Sequence, residues 1–164
     1  PLNAALSVAT AIYCGCPLSN IKERLKFIDL PERRLAISNS LSGSILIDDS
    51  YNSNPASLKN AVDSLEGLER KKVCILGDMK ELGSDSQKIH QEMYEYISER
   101  VDQIFCIGDE WSTCSPNEKQ DLSIFENQDD LYSHLISIID KKTILLVKGS
   151  RSTRMDLLAD KLKE

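Results

Sequence analysis

"LIDDSYNSNPASLKNAVDSL", residues 46–65, ends an apolar run on two aspartates, crowds serine, tyrosine and asparagine into a few positions, and then turns helical. Asn54 is placed to cap a helix and Pro55 to fill its first position, where a missing N–H costs nothing. Leu58, Ala61, Val62, Leu65 and Leu68 then recur on one helical face. The stretch therefore reads as strand, polar loop, helix. Its loop, with Asp48, Asp49, Ser50, Tyr51 and Asn52, carries more hydrogen-bonding groups than a change of direction needs, and is a candidate for holding a ligand.

The same unit repeats outward from it. "RRLAISNS" (33–40) and "SILIDD" (44–49) flank "LSG", which predicts an antiparallel pair joined by a tight turn. "KVCILG" (72–77), "QIFCI" (103–107), "LSIF" (122–125) and "TILLV" (143–147) are short apolar runs separated by helical patterns. The last of those patterns carries Met155, Leu158, Ala159 and Leu162 on one face. Strand and helix in alternation predict an α/β fold, Rossmann-like, with a mostly parallel sheet, flanking helices and an antiparallel edge hairpin.

Toward the N-terminus the pattern changes. "LNAALSVATAIY" (2–13) suits a buried helix ended by Gly15 and Pro17. "LSNIKERLKFI" (18–28) suits a second, with Ser19 as cap and Ile21, Leu25 and Ile28 at helical spacing. Pro31 marks the boundary beyond which strand-like runs begin. The chain opens on Pro1, without methionine, in a helix-rich segment, and is expected to be a piece of a longer protein. The expected organisation is the end of a preceding domain over 1–30 and a main domain over 31–164.

Composition narrows the function. Of 164 residues, 41% are hydrophobic and 28% charged, the make-up of a globular chain. The formal charge of -6 argues against a broad nucleic-acid surface. No apolar run approaches the roughly 20 residues of a membrane span, and no signal-peptide pattern opens the chain, so no membrane insertion and a cytoplasmic location are expected. Cys14, Cys16, Cys74, Cys106 and Cys114 lack metal-site spacing and read as reduced thiols; no metal site is expected.

In an open parallel sheet, ligands lie beyond the carboxyl ends of the strands, where loops and helix N-termini converge. The strands here end on "IDDSYNSN", "LGDMKELG", "IGDE" and "VKGSRS". Any one of these alone serves as an ordinary turn. Together they bring Lys148, Arg151 and Arg154 to the same edge as Asp48, Asp49 and Asp78, a mixture suited to a ligand with phosphate or carboxylate beside hydroxyl or ammonium groups. The chain has no G-x-x-x-x-G-K-[ST], no G-x-G-x-x-G and no G-x-S-x-G. His90 and His134 are isolated and read as solvated helix positions.

"DDSYNSNP", "LGDMKELG" followed by His90, and "VKGSRSTRMD" resemble hallmark segments of the C-terminal domain of the Mur ligases, in order and over nearly the whole chain. Within that family the segments look most like those of the members that add D-alanyl-D-alanine to UDP-N-acetylmuramoyl tripeptide. The resemblance implies a three-domain enzyme in which ATP, with Mg, activates the tripeptide carboxylate as an acyl phosphate that the dipeptide amine attacks. ATP and Mg would be held mainly by a central domain, of which residues 2–12 resemble a final helix; the partners would be the two substrates and the enzyme's own central and N-terminal domains.

By motif position the resemblance implies nucleotide-binding roles for Asn3, Arg34, Asp49, Tyr51 and Asn52. Asn3 would lie near adenine, Asp49 at the ribose hydroxyls and Arg34 at the phosphates. It implies catalytic roles for Arg34 and Lys148, and places Lys148, Ser150 and Arg151 toward the incoming dipeptide, with Arg151 for its carboxylate. The family usually has Gly-Arg where this chain has Arg33-Arg34, so either arginine is open as the one at the phosphates. The alternatives are the same fold in another amino-acid-adding Mur ligase or a folylpolyglutamate synthase, and a non-catalytic Rossmann-like binding module.

Overall fold

The computed structural model describes residues 2–27, 32–117 and 122–164, with the side chains of Leu2 and Asn3 outside the description. It divides into two compact units, residues 1–31 and 32–164.

In the first unit, α1 (Leu2–Tyr13) runs into a turn at Cys14–Gly15, where Gly15 takes φ 83°, and α2 (Leu18–Leu25) follows Pro17. The expectation of a buried helix fails for α1: no described side chain on it is buried, and Leu6 and Ile12 are more than half exposed. Two short helices enclose no core of their own. Ser19 is not a cap, because α2 starts at Leu18 and Pro17 takes the capping position without a side-chain bond. Ile28 and Pro31 lie outside the described residues.

The second unit is a six-stranded sheet. Its strands are β1 (Ala36–Asn39), β2 (Ile45–Asp49), β3 (Lys71–Gly77), β4 (Gln103–Ile107), β5 (Leu122–Phe125) and β6 (Thr143–Lys148), in the order β1-β2-β6-β3-β4-β5. β1 and β2 form the expected antiparallel edge pair and all other pairings are parallel. The helices are α3 (Pro55–Asp63), α4 (Ser86–Ser98), α5 (Asp109–Ser112), α6 (Gln128–Ile138) and α7 (Met155–Leu162).

Side-chain alternation sorts the central strands between two cores. Ile47, Cys74, Leu76, Ile104, Cys106, Ile144 and Leu146 pack with α3, α4 and α5 on one face. Leu46, Val73, Ile75, Phe105, Leu145 and Val147 pack with α6 and α7 on the other. Both faces are covered, which is why these strands read as continuous apolar runs. Cys74, Cys106 and Cys114 are buried free thiols; burial pushes Cys74 up to about 12 and Cys114 up to about 11.

α3 begins as its sequence demands. Asn54 Oδ1 accepts from the Ser57 N–H at 2.8 Å, and Ser57 Oγ accepts from the Asn54 N–H at 3.1 Å, a closed capping box with Pro55 at the first position. The helix stops at Asp63, so Leu68 is not on its buried stripe and is 42% exposed. Gly67, at φ 75°, has already turned the chain.

This topology places the site. The chains leaving β2 and β3 enter α3 and α4 on one face, while the chain leaving β6, which lies between them, enters α7 on the other. Neighbouring strands whose exits diverge leave a crevice beyond their carboxyl ends. Among the described residues no helix is long and apolar enough to cross a membrane.

Candidate functional site

β2 ends on two aspartates with opposite fates, because adjacent strand residues face opposite ways. Asp48 is fully buried; its Oδ1 accepts from the Ser50 N–H and hydroxyl at 3.1 and 2.6 Å, and its Oδ2 from Lys163 Nζ at 3.0 Å. Asp49 is in register with Lys148 of β6, whose Nζ donates to Asp49 Oδ2 at 2.5 Å and to the Asn52 carbonyl at 2.8 Å. The Leu35 N–H donates to Asp49 Oδ1 at 3.1 Å. Lys148 is only 2% exposed, and burial, opposed by Asp49, pulls its ammonium below the ordinary lysine value.

The two adjacent arginines divide. Arg33 takes φ 61°, and its guanidinium goes to α7, 2.9 Å from Asp160 and 3.6 Å from Asp156. The bond to Asp160 raises its pKa against the effect of burial. Lys163 bridges Asp160 and Asp48, so Arg33 belongs to a network that pins the start of the domain to its last helix. Arg34 instead lies over the Tyr51 ring, 4.4 Å from its centroid. Arg151 approaches the same ring at 5.5 Å. Among the described residues neither Arg34 nor Arg151 is in an ion pair, and both lie beside Tyr51.

The exits of β3 and β6 touch. A Cβ on Gly149 would meet Thr153 Oγ1 at 2.6 Å, Met155 Cγ at 2.7 Å and Gly77 Cα at 3.0 Å, so only glycine lets these backbones pass. Beyond the crossing, the Ser150 N–H donates to the Asp78 carbonyl at 3.0 Å, and the Lys80 N–H donates to Ser150 Oγ at 2.8 Å. Asp78 is buried, its Oδ1 accepting from the Trp111 N–H at 3.3 Å and its Oδ2 from Lys80 Nζ at 2.9 Å.

His90 corrects the sequence reading: it is fully buried. Its Nε2 accepts from the Met79 N–H at 3.1 Å, its Nδ1 lies 2.8 Å from the Ser86 carbonyl, and its ring meets Trp111 edge-on. The tautomer with the proton on Nδ1 satisfies both contacts. His134 is exposed as expected.

A cleft of about 510 Å³ lies between these loops, lined by Tyr51, Asn52, Lys80, Glu81, Ser150 and Arg151 among others. The structure thus brings Asp49, Tyr51, Asn52, Lys148, Ser150 and Arg151, with Arg34 over Tyr51, to one end of the sheet. Two features place expected residues differently from a simple ligand contact. The Lys148 ammonium is committed to Asp49 and Asn52, and the Ser150 hydroxyl accepts from Lys80. The side chain of Asn3 lies outside the described residues. Asp48 and Arg154, counted at the edge for their charge, turn elsewhere: Asp48 inward, and Arg154 to Asp156 at 3.3 Å. Sequence reasoning passed over Lys80, although "LGDMKELG" places a cation two residues beyond the buried Asp78. Among the described residues no group of three or more His, Cys, Asp or Glu is placed to hold a metal ion.

Comparisons with known proteins place the chain in a family. The chain is similar to UDP-N-acetylmuramoyl-tripeptide–D-alanyl-D-alanine ligase of Haemophilus influenzae, at 32% identity over 99% of the chain and 36% of the relative. It is similar at 36% identity, over the same shares, to the ligase of that name from Buchnera aphidicola. The solved structure of MurF from Acinetobacter baumannii superposes with a TM-score of 0.85 at 31% identity, covering 97% of this chain and 36% of that one. The chain thus spans about a third of the length of these relatives. Residues 33–151, from the arginine pair through the crossing of β3 and β6 to Arg151, match the domain described as Mur ligase, glutamate ligase domain, and the chain belongs to the Mur ligase family.

Proposed function

We propose that the chain is the C-terminal part of an ATP-dependent ligase of peptidoglycan-precursor synthesis, which joins D-alanyl-D-alanine to UDP-N-acetylmuramoyl tripeptide in the cytoplasm. The observation that carries this is the pairing, at one end of the sheet, of Asp49, Tyr51 and Asn52, a polar set suited to a nucleoside, with guanidinium groups (Arg34, Arg151) that have no ion-pair partner among the described residues. The names of the relatives support the choice of substrates over those of other family members.

ATP would supply the phosphoryl group that turns the tripeptide carboxylate into an acyl phosphate, and Mg would shield the phosphates; both would be held mainly outside this chain, by a central domain of which residues 1–30 would be the end, with Asn3 toward adenine. The residues present fit the nucleotide. Each Asp49 oxygen has one donor and keeps a lone pair for a ribose hydroxyl. Lys148 holds that carboxylate in place, acting through Asp49. Arg34, not Arg33, is free to meet phosphate charge as it develops. Arg151 takes the dipeptide carboxylate, and the Ser150 hydroxyl retains its proton for the ligand.

The test is phosphate release from ATP by the full-length protein with UDP-N-acetylmuramoyl tripeptide, given D-alanyl-D-alanine or single amino acids. Release that requires the dipeptide is expected. Asp49→Asn should raise the KM for ATP about tenfold, the worth of a hydrogen bond to a charged group. Release with a single amino acid overturns the substrate, and none with any amine leaves a binding module. Residues 1–164 alone should turn over no ATP, because the site is assembled by domain closure.

A further inference from the structure

We propose that Tyr51 is a positioning residue whose ring holds Arg34 and Arg151 together, so that their two charges stay within reach of one small ligand. This rests on the ligase reading above and goes beyond it by giving the ring a task toward the two guanidinium groups.

Tyr51 stands between segments that are far apart in sequence. Its N–H donates to the Arg33 carbonyl at 3.1 Å, and the Leu35 N–H donates to Asp49 Oδ1 at 3.1 Å, so the chain is tied to this loop on both sides of Arg34. On its other flank the loop is tied to β6, where the Asn52 carbonyl accepts at 2.8 Å from Nζ of Lys148, three residues before Arg151. Buried Asp48 holds the Ser50 N–H and hydroxyl from within. The backbone of Tyr51 is therefore set from three directions, while its side chain, 41% exposed, lines the cleft together with Arg151.

The ring meets both arginines. The Arg34 guanidinium carbon lies 4.4 Å from its centroid and that of Arg151 5.5 Å, each inside the roughly 6 Å over which a ring attracts a cation. The two charged carbons are consequently no further apart than those distances together. Like charges brought so close repel, and the electron-rich face of the ring offsets that repulsion. Burial lowers the Lys148 pKa first and the charge of Arg34 adds to it, so Arg34 also lies toward the end of β6. The dipeptide needs the two charges near each other: its amine must reach the acyl phosphate while its carboxylate, at full extension of two residues, is about 7 Å away. A guanidinium held in place before the ligand arrives loses less side-chain freedom on binding.

The competing role is direct: the ring stacks on the base of the nucleotide and does nothing for the arginines. Kinetics of the full-length protein separate the two. In Tyr51→Leu, kcat should fall about two- to fivefold through Arg34, and the KM for D-alanyl-D-alanine should rise about two- to fivefold through Arg151, each the worth of a cation over an exposed ring. Tyr51→Phe keeps the ring and should recover most of both losses. In an Arg151→Met background, adding Tyr51→Leu should raise the dipeptide KM no further. An unchanged dipeptide KM in Tyr51→Leu overturns the proposal, and a rise confined to the KM for ATP does so in favour of base stacking. A rise in dipeptide KM of the same size with and without Arg151 also overturns it, because the ring would then act on the dipeptide itself. If wild-type phosphate release does not require the dipeptide at all, it is the ligase reading that has failed.

Discussion

Replacing Asp49 by alanine should do more than remove the proposed nucleotide contact. It strands the Lys148 ammonium, 2% exposed, with the Asn52 carbonyl as its remaining partner. Removing one partner of a buried pair costs about 3–5 kcal/mol. Asp49 itself is 13% exposed, so water reaches that end and the lower limit, about 3 kcal/mol, applies. Lys148→Met keeps the buried hydrocarbon and leaves a carboxylate that still has the Leu35 N–H and some water, for a loss of about 1–2 kcal/mol. The double variant buries no orphan charge and should lose only about 2 kcal/mol, so the two changes couple by about 2–3 kcal/mol. Urea unfolding followed by the fluorescence of Trp111, the single and fully buried tryptophan, measures all four states. The sign with pH is fixed too. Without Asp49 the folded chain releases the Lys148 proton before the unfolded chain does, so the deficit of Asp49→Ala should shrink as pH rises toward the unfolded lysine value. A double variant as unstable as the sum of the single ones would refute the pairing. It would also mean that a raised KM for ATP in Asp49→Ala could be read as lost binding alone.

Two other predictions test the frame of the site. Gly149→Ala forces a Cβ against Thr153 and the Gly77 backbone and should cost about 1–3 kcal/mol or more in urea unfolding, whereas Gly83→Ala, with open space but φ 63°, should cost about 1 kcal/mol. In NMR titration of carbon-labelled lysine side chains, Lys148 should titrate below 10.5 because burial outweighs its carboxylate, and Lys80 above 10.5 through its bond to Asp78. Lys163 should also titrate above 10.5, its bonds to Asp160 and Asp48 outweighing burial. Stability from Lys80 and Lys163 is then full below the unfolded lysine value and lost as pH rises through their folded values, while Lys148 contributes with the opposite sign.

Much of the frame was legible because it is local. The capping box at Asn54 spans four residues, the apolar runs of β3, β4 and β6 are contiguous, and the hairpin turn lies between its own strands. Residues that depend on distant partners were not. His90 looks solvated in a helical pattern until the Met79 N–H, eleven residues back, is brought to its ring. Lys148 pairs with a residue 99 positions away, and nothing in either segment says that β6 will lie beside β2. The diverging paths of Arg33 and Arg34 accompany two left-handed residues, Arg33 and Leu35, with the first arginine's side chain on α7 and the second's over Tyr51. Strand order had no local signal either, and it is the order that makes the exits of β2, β6 and β3 neighbours.

That order bears on how the chain is made. β6 is the last strand in sequence but lies between β2 and β3, and through it the β1-β2 pair is hydrogen-bonded to the β3-β4-β5 group. A nascent chain emerging from the ribosome therefore carries two half-sheets with unpaired edges until residues 143–148 arrive. Such edges attract chaperones, proteases and other chains. Because Lys148, Ser150 and Arg151 arrive on the same segment, the last zip of the sheet and the completion of the cleft are one event, and a chain truncated during synthesis can neither hide its edges nor complete its cleft.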